Sequence, residues 1–349
     1  MPGAPGRCVS VTVAVDANGA DLGPAEVLAG AVRAVEADPD LSVLLFAPAV
    51  ESGHDRVRVV DAPVSVAKEP DPAAAVRRFK DASIVRAWAA VAAGDADALV
   101  SGGSTGAALA AGLFGVKRAR GVHRPALAMR IPAPQTPFLL LDAGANTTVR
   151  AEHLVQFAHM GAAFARVALG IPAPRVALLS NGTEPGKGTE EVVAAHAALR
   201  DMPGFVGNVE GFTVSSGEAD VVVTDGFTGN VMVKTMEGSS RAVLEAVRAA
   251  ATSSARAKAG GLLLKPALGG LRAALDPELA GGAYLLGLRG LGVVPHGSFT
   301  RRGFAAAIAL AARGVREDVA GSTHAALASA GALRRAPDPS AGAGTLPDR

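Results

Sequence analysis

The stretch of the chain that decides its fold is residues 218–230, which read EADVVVTDGFTGN. An apolar run, Val221–Val223, ends in polar Thr224 and Asp225; two glycines follow, and a helical pattern begins near Asn230. This order is typical of a buried strand that leads through a tight turn into a helix. Because the first backbone N–H groups of a helix have no partner inside it, such a turn is a natural position for binding an anion.

The same alternation of short apolar runs and longer helical patterns continues through the chain. The runs that predict strands are Val9–Val15, Val43–Phe46, Val57–Val60, Ala98–Ser101, Ala126–Ile131, Phe138–Asp142, Val176–Ser180, Ala219–Thr224 and Val293–Pro295. The patterns that predict helices are Pro24–Glu36, Ser83–Ala93, Thr105–Phe114, Glu152–Leu169, Thr189–Leu199, Asn230–Ala250 and Arg302–Ala312. We therefore predict an α/β fold with a mainly parallel, doubly wound sheet that is covered on both faces.

Polar, glycine-rich segments follow five of the predicted strands. They are Asp16–Gly23, Ser101–Gly106, Asp142–Thr148, Ser180–Gly188 and Asp225–Asn230. Ligands of open parallel sheets bind at the carboxyl ends of the strands. We therefore expect these five loops to converge and to form a single site.

The composition excludes several classes of protein. The net charge of the 349 residues is only +2, which is too balanced for a nucleic-acid-binding protein. The single cysteine, Cys8, excludes an intramolecular disulfide framework and a cysteine metal cluster. The N-terminus lacks the pattern of a signal peptide, and no apolar stretch reaches the roughly 18 residues that span a membrane. We expect a cytoplasmic protein.

Length and pattern predict one catalytic α/β domain over residues 1–332, with a helical excursion at about 240–285. Within the excursion, residues 248–275 contain five basic residues and no acid. Gly260-Gly261 is expected to interrupt this segment, and Pro266 suits the first turn of a second helix. The leucines that would share one helical face are Leu264, Leu268, Leu271 and Leu275. Residues 333–349 are rich in Pro, Ala, Gly and Asp and are expected to form a disordered tail.

The first loop offers backbone donors and carboxylates. Its candidate phosphate-binding residues are Asp16, Gly19 and Asp21. The alternative is a structural turn in which Asp21 caps the following helix. Two aspartates are weak evidence for a metal, and we predict neither a metal nor an organic cofactor.

The second loop offers hydroxyl groups at the start of a helix, where the dipole favours an anion. Its candidates are Gly103, Ser104, Thr105 and Gly106. The loop lacks the lysine of a P-loop, so a nucleoside triphosphate is not the natural ligand. A glycine turn with a serine cap is the alternative interpretation.

The other three loops add lysines to the candidate site. Their candidates are Asp142 and Asn146 in the third loop, Glu184, Lys187 and Gly188 in the fourth, and Asp225, Gly226, Gly229, Asn230 and Lys234 in or after the fifth. A lysine between two glycines can neutralise an anion as a point charge. Either lysine could instead be a solvated surface residue, and Lys234 could pair with a carboxylate.

Three further candidates stand outside these loops. His296 lies between a strand and a helix and is a candidate catalytic residue, and Lys80 and Ser83 are candidate phosphate-binding residues near another helix start. A structural or exposed role is the alternative for each. The chain contains no Gly-x-Ser-x-Gly elbow, no His-Glu-x-x-His motif and no Rossmann glycine fingerprint with its downstream acid.

Several longer motifs, in this order along the chain, resemble one bacterial enzyme family. They are RPALA at 124–128, EHLVQFA at 152–158, GNVEG at 207–211, SGEADVVV at 216–223, DGF at 225–227, and GGA at 281–283 leading to His296-Gly297. Over roughly residues 9–315 the chain resembles the bacterial phosphate acyltransferases of phospholipid synthesis. Asn208 and Glu210, inside the GNVEG motif, are added to the candidate substrate-binding residues.

The resemblance implies a reaction in which acyl-acyl carrier protein and inorganic phosphate give acyl phosphate and free carrier protein. The product would supply a membrane-bound glycerol-3-phosphate acyltransferase. The resemblance also implies a fold similar to the phosphotransacetylases and isopropylmalate dehydrogenases, a homodimer, and peripheral attachment to the membrane.

Because phosphate is the nucleophile, the protein need only hold it, place the thioester and stabilise the oxyanion. We expect the backbone N–H groups of 103–106 and 226–230 to form the anion site with Lys80, Lys187 or Lys234. The group that orients phosphate or protonates the leaving thiolate would be His296 or a carboxylate such as Asp225.

Other functions stay open at this point. The chain could be a related-fold dehydrogenase, a phosphotransacetylase that acts on acyl-coenzyme A, or a non-catalytic scaffold that docks at the membrane. The acid-free segment 248–275 suits an interfacial helix on anionic lipid, a contact with the acidic carrier protein, or a dimer contact. We favour a dimer contact whose tip meets the membrane.

Overall fold

The computed structural model describes residues 9–48, 50–133, 135–274 and 276–334, and for residues 267, 268 and 271–274 it describes the backbone alone. Leu275 and most of the expected tail at 333–349 lie outside the described residues. The side chains of Leu268 and Leu271 also lie outside the described part of the chain. Of the four leucines predicted to share a helical face, only Leu264 therefore has a described side chain.

All the described strands belong to one sheet. They are β1 (Val11–Asp16), β2 (Leu41–Ala47), β3 (Val57–Asp61), β4 (Ala98–Ser101), β5 (Ala126–Ile131), β6 (Phe138–Leu141), β7 (Val176–Ser180), β8 (Phe205–Glu210), β9 (Val221–Val223), β10 (Ala283–Leu286) and β11 (Leu291–Val294). Their order across the sheet is β3-β2-β1-β4-β11-β10-β5-β6-β9-β7-β8.

The sheet has two parallel halves that run in opposite directions. Strands β1 to β4 and β11 are parallel to one another, and so are β6 to β9. Between the halves, β10 pairs antiparallel with both β11 and β5, and β5 pairs antiparallel with β6. This odd number of antiparallel pairings reverses the strand direction. The carboxyl ends of the two halves therefore lie at opposite ends of the strands.

The helices cover both faces of the sheet, as predicted. They are α1 (Pro24–Ala37), α2 (Pro72–Arg78), α3 (Ser83–Ala93), α4 (Thr105–Gly115), α5 (Ala151–Ala168), α6 (Glu190–Leu199), α7 (Gly226–Thr252), α8 (Ala255–Ala274), α9 (Pro277–Ala280), α10 (Arg301–Arg316) and α11 (Val319–Ser329). Among the described residues, no helix is both long enough and apolar enough to cross a bilayer.

Strand alternation builds two separate cores. In β1, Val13 and Val15 face one core, whereas Ala14 faces the other. The first core is completed by α1, α5, α10 and α11, and the second by α2, α3 and α4. Trp88 is fully buried in the second core, and its indole N–H donates to the Ala108 carbonyl at 2.9 Å. Apolar packing on both faces is what a doubly wound sheet requires.

Several predicted boundaries are wrong; for example, α10 ends at Arg316 rather than at Ala312. Helix α7 begins at Gly226 rather than near Asn230, because Asp225 caps it. Helix α8 runs through Gly260-Gly261 and contains Pro266 in its interior, so the predicted interruption there does not occur. The break between the two long helices lies earlier, at Ser253-Ser254, where the Ser254 hydroxyl accepts the Ala257 N–H at 3.1 Å.

Several elements escaped prediction because their sequence signals are weak. Strand β8 is a half-buried edge strand that contains Gly207 and Asn208, so it lacks a continuous apolar run. Strand β10 is short and follows Gly281-Gly282. Helices α2 and α11 were also not predicted; α11 is made mainly of alanine and small polar residues and buries Val319, Thr323 and Leu327, so its apolar face is weakly marked.

Candidate active site

The first and second loops contact each other at the carboxyl ends of β1 and β4. The Ser101 hydroxyl donates to the buried carboxylate of Asp16 at 2.8 Å. A Cβ atom on Gly19 would lie 2.8 Å from the Gly103 Cα, so only glycine permits this approach. Burial raises the Asp16 pKa, and hydrogen bonds from Ser83 and Ser101 oppose the rise.

The other candidates at this end have structural contacts. Ser104 caps α4 by accepting the Ala107 N–H at 3.4 Å. The Lys80 ammonium lies 3.5 Å from the Val76 carbonyl oxygen, and the Asp21 N–H donates to the Gly297 carbonyl at 2.9 Å. Thr105 and Gly106 form the first turn of α4. The serine cap agrees with the structural alternative for the second loop. The alternative for the first loop is wrong, because the N-cap residue of α1 is Gly23 and no Asp21 side chain caps the helix.

His296 belongs to this same end, because it follows β11. Its Nδ1 atom accepts the Ser298 N–H at 3.2 Å and lies 2.7 Å from the Ser298 hydroxyl. Asp225 follows β9, whose carboxyl end is on the opposite side. His296 and Asp225 are predicted from the sequence to belong to one site, but the strands place them at opposite ends.

The third and fifth loops contact each other at the carboxyl ends of β6 and β9. The Gly226 N–H donates to the Asn146 carbonyl at 2.7 Å. A Cβ atom on Gly229 would lie 2.0 Å from the Asp142 carbonyl oxygen. Both glycines of the DGFTG turn are therefore needed so that α7 can begin against the third loop.

The fourth loop lies at this end as well and is shaped by Asn208. The Asn208 amide donates to the Glu184 carbonyl at 2.9 Å and lies 3.5 Å from the Lys187 carbonyl, and its oxygen lies 2.9 Å from His196 Nδ1. Residues 183–190, which include Lys187 and Gly188, are exposed. Asn208 therefore supports the loop that presents Lys187.

The fourth and fifth loops are electrostatic neighbours. Hydrogen bonds from its own backbone N–H and from Thr189 hold the pKa of Glu191 below its usual value, and Asp225 acts in the opposite direction. The first turn of α6 is thus close enough to α7 for two carboxylates to interact. Glu210, at the end of β8, accepts the Thr213 N–H through its carbonyl oxygen at 2.9 Å.

The expectation of one site built by all five loops is therefore wrong. Loops one and two form one group, and loops three, four and five form another, at opposite ends of the strands. The physical reason is the strand reversal at β10 and β5, which apolar periodicity does not reveal.

The two aspartates of the second group are occupied by the protein's own donors. Asp142 is fully buried and accepts five hydrogen bonds, from the N–H groups of Leu127, Gly144, Ala145 and Asn146 and from the Asn146 side-chain amide. Burial raises the Asp142 pKa, and these hydrogen bonds oppose the rise. Asp225 caps α7. The remaining candidates at this end, Lys187, Asn230 and Lys234, are exposed side chains.

A cluster of His123, Glu152 and His153 near this end was missed as a group. The three could offer ligand atoms within 4.8 Å of one another. However, the Arg150 backbone N–H donates to His153 Nδ1 at 3.0 Å, so the neutral ring carries its proton on Nε2, the atom that faces Glu152. A metal-bound histidine instead donates through its other nitrogen. The Arg150 guanidinium, 2.6 Å from Glu152, already neutralises that carboxylate.

The surroundings of His153 alter its pKa. Burial lowers the His153 pKa, and the positive charges of Arg124 and Arg150 lower it further. The adjacent Glu152-His153 pair was visible in the sequence. The approach of His123 depends on the loop before β5 and has no local signal.

Comparisons with known proteins agree on a family. The model of a family described as "Fatty acid synthesis protein" matches residues 11–322. The phosphate acyltransferase of Thermobifida fusca is 44% identical over 313 residues, covering 86% of this chain and 86% of that protein. The phosphate acyltransferase of Heliobacterium modesticaldum is 42% identical over 316 residues, covering 88% of this chain and 94% of that protein.

Solved structures with similar folds are more distant in sequence. A phosphotransacetylase from Streptococcus pyogenes has a TM-score of 0.56 at 16% identity, covering 88% of this chain and 94% of its own. A branched-chain phosphotransacylase from Enterococcus faecalis has a TM-score of 0.56 at 18% identity, covering 87% and 99%. These likenesses confirm the predicted phosphotransacetylase-like fold. The family model and the relatives that are 42–44% identical show that the chain is an acyltransferase that belongs to the fatty acid synthesis protein family, the family of the phosphate acyltransferases.

Proposed function

We propose that the chain transfers a fatty acyl group from acyl-acyl carrier protein to inorganic phosphate. A phosphate oxygen attacks the thioester carbonyl carbon, the C–O bond forms, the C–S bond breaks, and the carrier thiolate leaves and takes up a proton. The products are acyl phosphate and free carrier protein. Because phosphate is the nucleophile, no covalent acyl-enzyme is required.

The main support for this proposal is the arrangement of bonded and exposed side chains at the carboxyl ends of β6, β7 and β9. The carboxylates there, Asp142 and Asp225, are engaged by backbone donors, whereas Lys187 and Asn230 are exposed. An anion that approaches this end meets the exposed side chains of Lys187 and Asn230, with the exposed carboxylate of Glu184 in the same loop as Lys187. The relatives that are 42–44% identical and are named phosphate acyltransferases supply the chemical context.

We assign Lys187 to the neutralisation of phosphate and Asn230 to the stabilisation of the oxyanion that develops on the thioester carbonyl oxygen. A positioned amide donor is worth about 100- to 1,000-fold in kcat when it is aimed at a developing oxyanion. Lys234 lies two turns into α7 and is a second candidate cation. Lys80 and His296, at the other end of the strands, are left out of this assignment.

A direct assay tests the proposal. The purified chain is incubated with phosphate and a long-chain acyl-carrier protein, and acyl phosphate is trapped as its hydroxamate while the released thiol is counted. We expect equal amounts of both products. Turnover with acyl-coenzyme A in place of the carrier protein would favour a phosphotransacetylase, and oxidation of a 2-hydroxy diacid with NAD would favour a dehydrogenase. A folded protein that is silent on every substrate would favour the scaffold.

The α7–α8 hairpin supports the rest of the proposal, which is a homodimer that touches the membrane. Apolar side chains are widely exposed on it, including Val243 at 62%, Leu262 at 71%, Leu263 at 84% and Leu264 at 58%. Exposed apolar surface of this kind marks an interface. We propose that the two helices pair with a second copy of the chain. The tip of the hairpin, at Ser253-Ser254 between Arg248 and Arg256, would contact anionic lipid on the cytoplasmic face of the membrane.

The same basic hairpin suits the acidic surface of the carrier protein, which would bring acyl groups to the membrane. Acyl phosphate made there would be consumed by a membrane-bound glycerol-3-phosphate acyltransferase. This arrangement would keep a reactive anhydride close to the enzyme that uses it.

A further inference from the structure

The buried carboxylate of Asp142 is the centre of the third loop. Its Oδ1 atom accepts the N–H groups of Leu127 at 3.0 Å, Gly144 at 3.0 Å and Ala145 at 2.9 Å. Its Oδ2 atom accepts both the backbone N–H and the side-chain amide of Asn146, each at 2.7 Å. The backbone N–H donors of the third loop are thus already bound to an anion of the chain itself.

Contacts lead from this loop to the first turns of α7. The Asn146 carbonyl accepts the Gly226 N–H at 2.7 Å, and Gly229 packs directly on the Asp142 backbone. Gly144 lies under Asn230, since a Cβ atom on Gly144 would be 3.0 Å from the Asn230 amide nitrogen. The loop that Asp142 holds therefore forms the surface on which the Asn230 side chain rests.

We propose that Asp142 is a positioning residue that places Asn230 for acyl transfer and does not itself touch phosphate. This inference rests on the proposed function, in which Asn230 stabilises the oxyanion. A full negative charge is needed because five donors converge on two oxygens. Asparagine at this position would turn an NH2 group toward the two donors of Asn146, so the loop would have to move.

The test is a double-mutant cycle between Asp142→Asn and Asn230→Ala. A displacement of about 1 Å can lower a rate by about 100-fold, so Asp142→Asn alone should lower kcat by that order. Phosphate KM should change less than threefold, because the cation that binds phosphate is elsewhere. In the Asn230→Ala background, Asp142→Asn should lower kcat by less than a further threefold, since the side chain that Asp142 positions is gone.

Asp220→Asn is the matched control. Asp220 is also a buried carboxylate, but it pairs with Arg175 at 2.9 Å at the amino end of β9. We expect this variant to lose stability and to keep kcat within twofold per folded molecule. If Asp142 had only a structural role, Asp142→Asn would likewise lose stability and keep kcat within twofold per folded molecule.

A second variant keeps the inference testable if Asp142→Asn does not fold. Gly144→Ala leaves the Asp142 carboxylate in place and pushes a methyl group toward the Asn230 amide. Gly144 has a φ of 149°, which is unfavourable for alanine, so the stability of this variant is also measured by its unfolding transition. The same loss of kcat is expected, again absent in the Asn230→Ala background.

Three results would overturn the inference. They are a folded Asp142→Asn variant with kcat within twofold of the wild type, equal losses with and without Asn230, and a crystal structure of the variant with Asn230 unmoved. If the wild type makes no acyl phosphate, the proposed function fails. The crystal structure then still decides whether Asp142 positions Asn230.

Discussion

The carboxylate of Asp225 accepts hydrogen bonds from both the backbone N–H and the hydroxyl of Thr228, at 2.9 Å and 2.6 Å. This arrangement caps α7 with a negative charge. The helix start that the sequence marked as an anion site therefore already has an anion beside it. An incoming phosphate is expected to depend on a lysine from a neighbouring loop instead.

The cap has a measurable energy. Replacing Asp225 with alanine should lower the free energy of unfolding by about 0.5–2 kcal/mol, and asparagine, which keeps an acceptor for the Thr228 N–H, should cost less. Urea denaturation measures both changes. Asp71, which caps α2 by accepting the Ala74 N–H at 3.0 Å, is the matched control for the loss of a cap. If Asp225 instead transfers a proton in catalysis, kcat will fall in the asparagine variant while stability is nearly preserved.

Lys187 should control the use of phosphate. Lys187→Ala removes a charge-assisted contact worth about 1.5–3 kcal/mol, so we expect phosphate KM to rise at least about tenfold. Initial rates of acyl-phosphate formation across phosphate concentrations measure this effect. Lys234→Ala is assayed in parallel, and Arg33→Ala, an exposed cation on α1, is the control. Unchanged phosphate dependence in both lysine variants would remove them from the anion site.

Acid should destabilise the fold through His153 and His159. The folded-state pKa of each is lowered, by burial first and then by nearby arginines. Above the unfolded pKa of about 6.5, both states are neutral and stability does not depend on these residues. Below that value the unfolded chain binds protons that the folded chain resists, so stability falls as the pH drops.

Urea denaturation between pH 7.5 and pH 5.5 should show this loss. His153→Asn keeps an oxygen near the position of Nδ1 to accept the Arg150 N–H and cannot be protonated, so the slope should become shallower. Adding His159→Gln should flatten it further. A wild-type free energy of unfolding that stays constant or increases as the pH is lowered from 7.5 to 5.5 would contradict the assignment.

The α7–α8 hairpin should mediate both pairing and lipid contact. Leu263→Glu together with Leu264→Glu should shift the protein toward the monomer in light scattering and reduce flotation with anionic vesicles. Charge repulsion and the loss of apolar burial both act in this direction. Leu279→Glu, at a residue that is 59% exposed on α9 outside the hairpin, is the matched control. Dimers and vesicle binding that both survive the double substitution would argue against the proposed interface.

Much of the fold was predictable because its signals are local. The run Val221–Val223 predicts a strand, and the pattern after Asp225 predicts a helix. Only the first turn of this helix is misplaced, because the sequence does not distinguish a capping aspartate from any other polar residue after a strand. The glycines of the fifth loop are predicted as phosphate-binding residues from the sequence. The structure adds a requirement that the sequence does not show, since a Cβ atom on Gly229 would collide with the Asp142 carbonyl oxygen.

What the sequence by itself determined is the set of elements, the apolar faces that they bury and the family to which the chain belongs. Only the tertiary structure decided which loops share an end. The alternation of apolar residues in Ala126–Ile131 and Ala283–Leu286 is the same whichever way a strand runs, because side-chain periodicity carries no direction. Antiparallel pairing of these two strands separates Asp16 and Ser101 from Asn230. The parallel pairing of Phe138–Leu141 with Val221–Val223 brings Asn230 against Gly144 of the third loop.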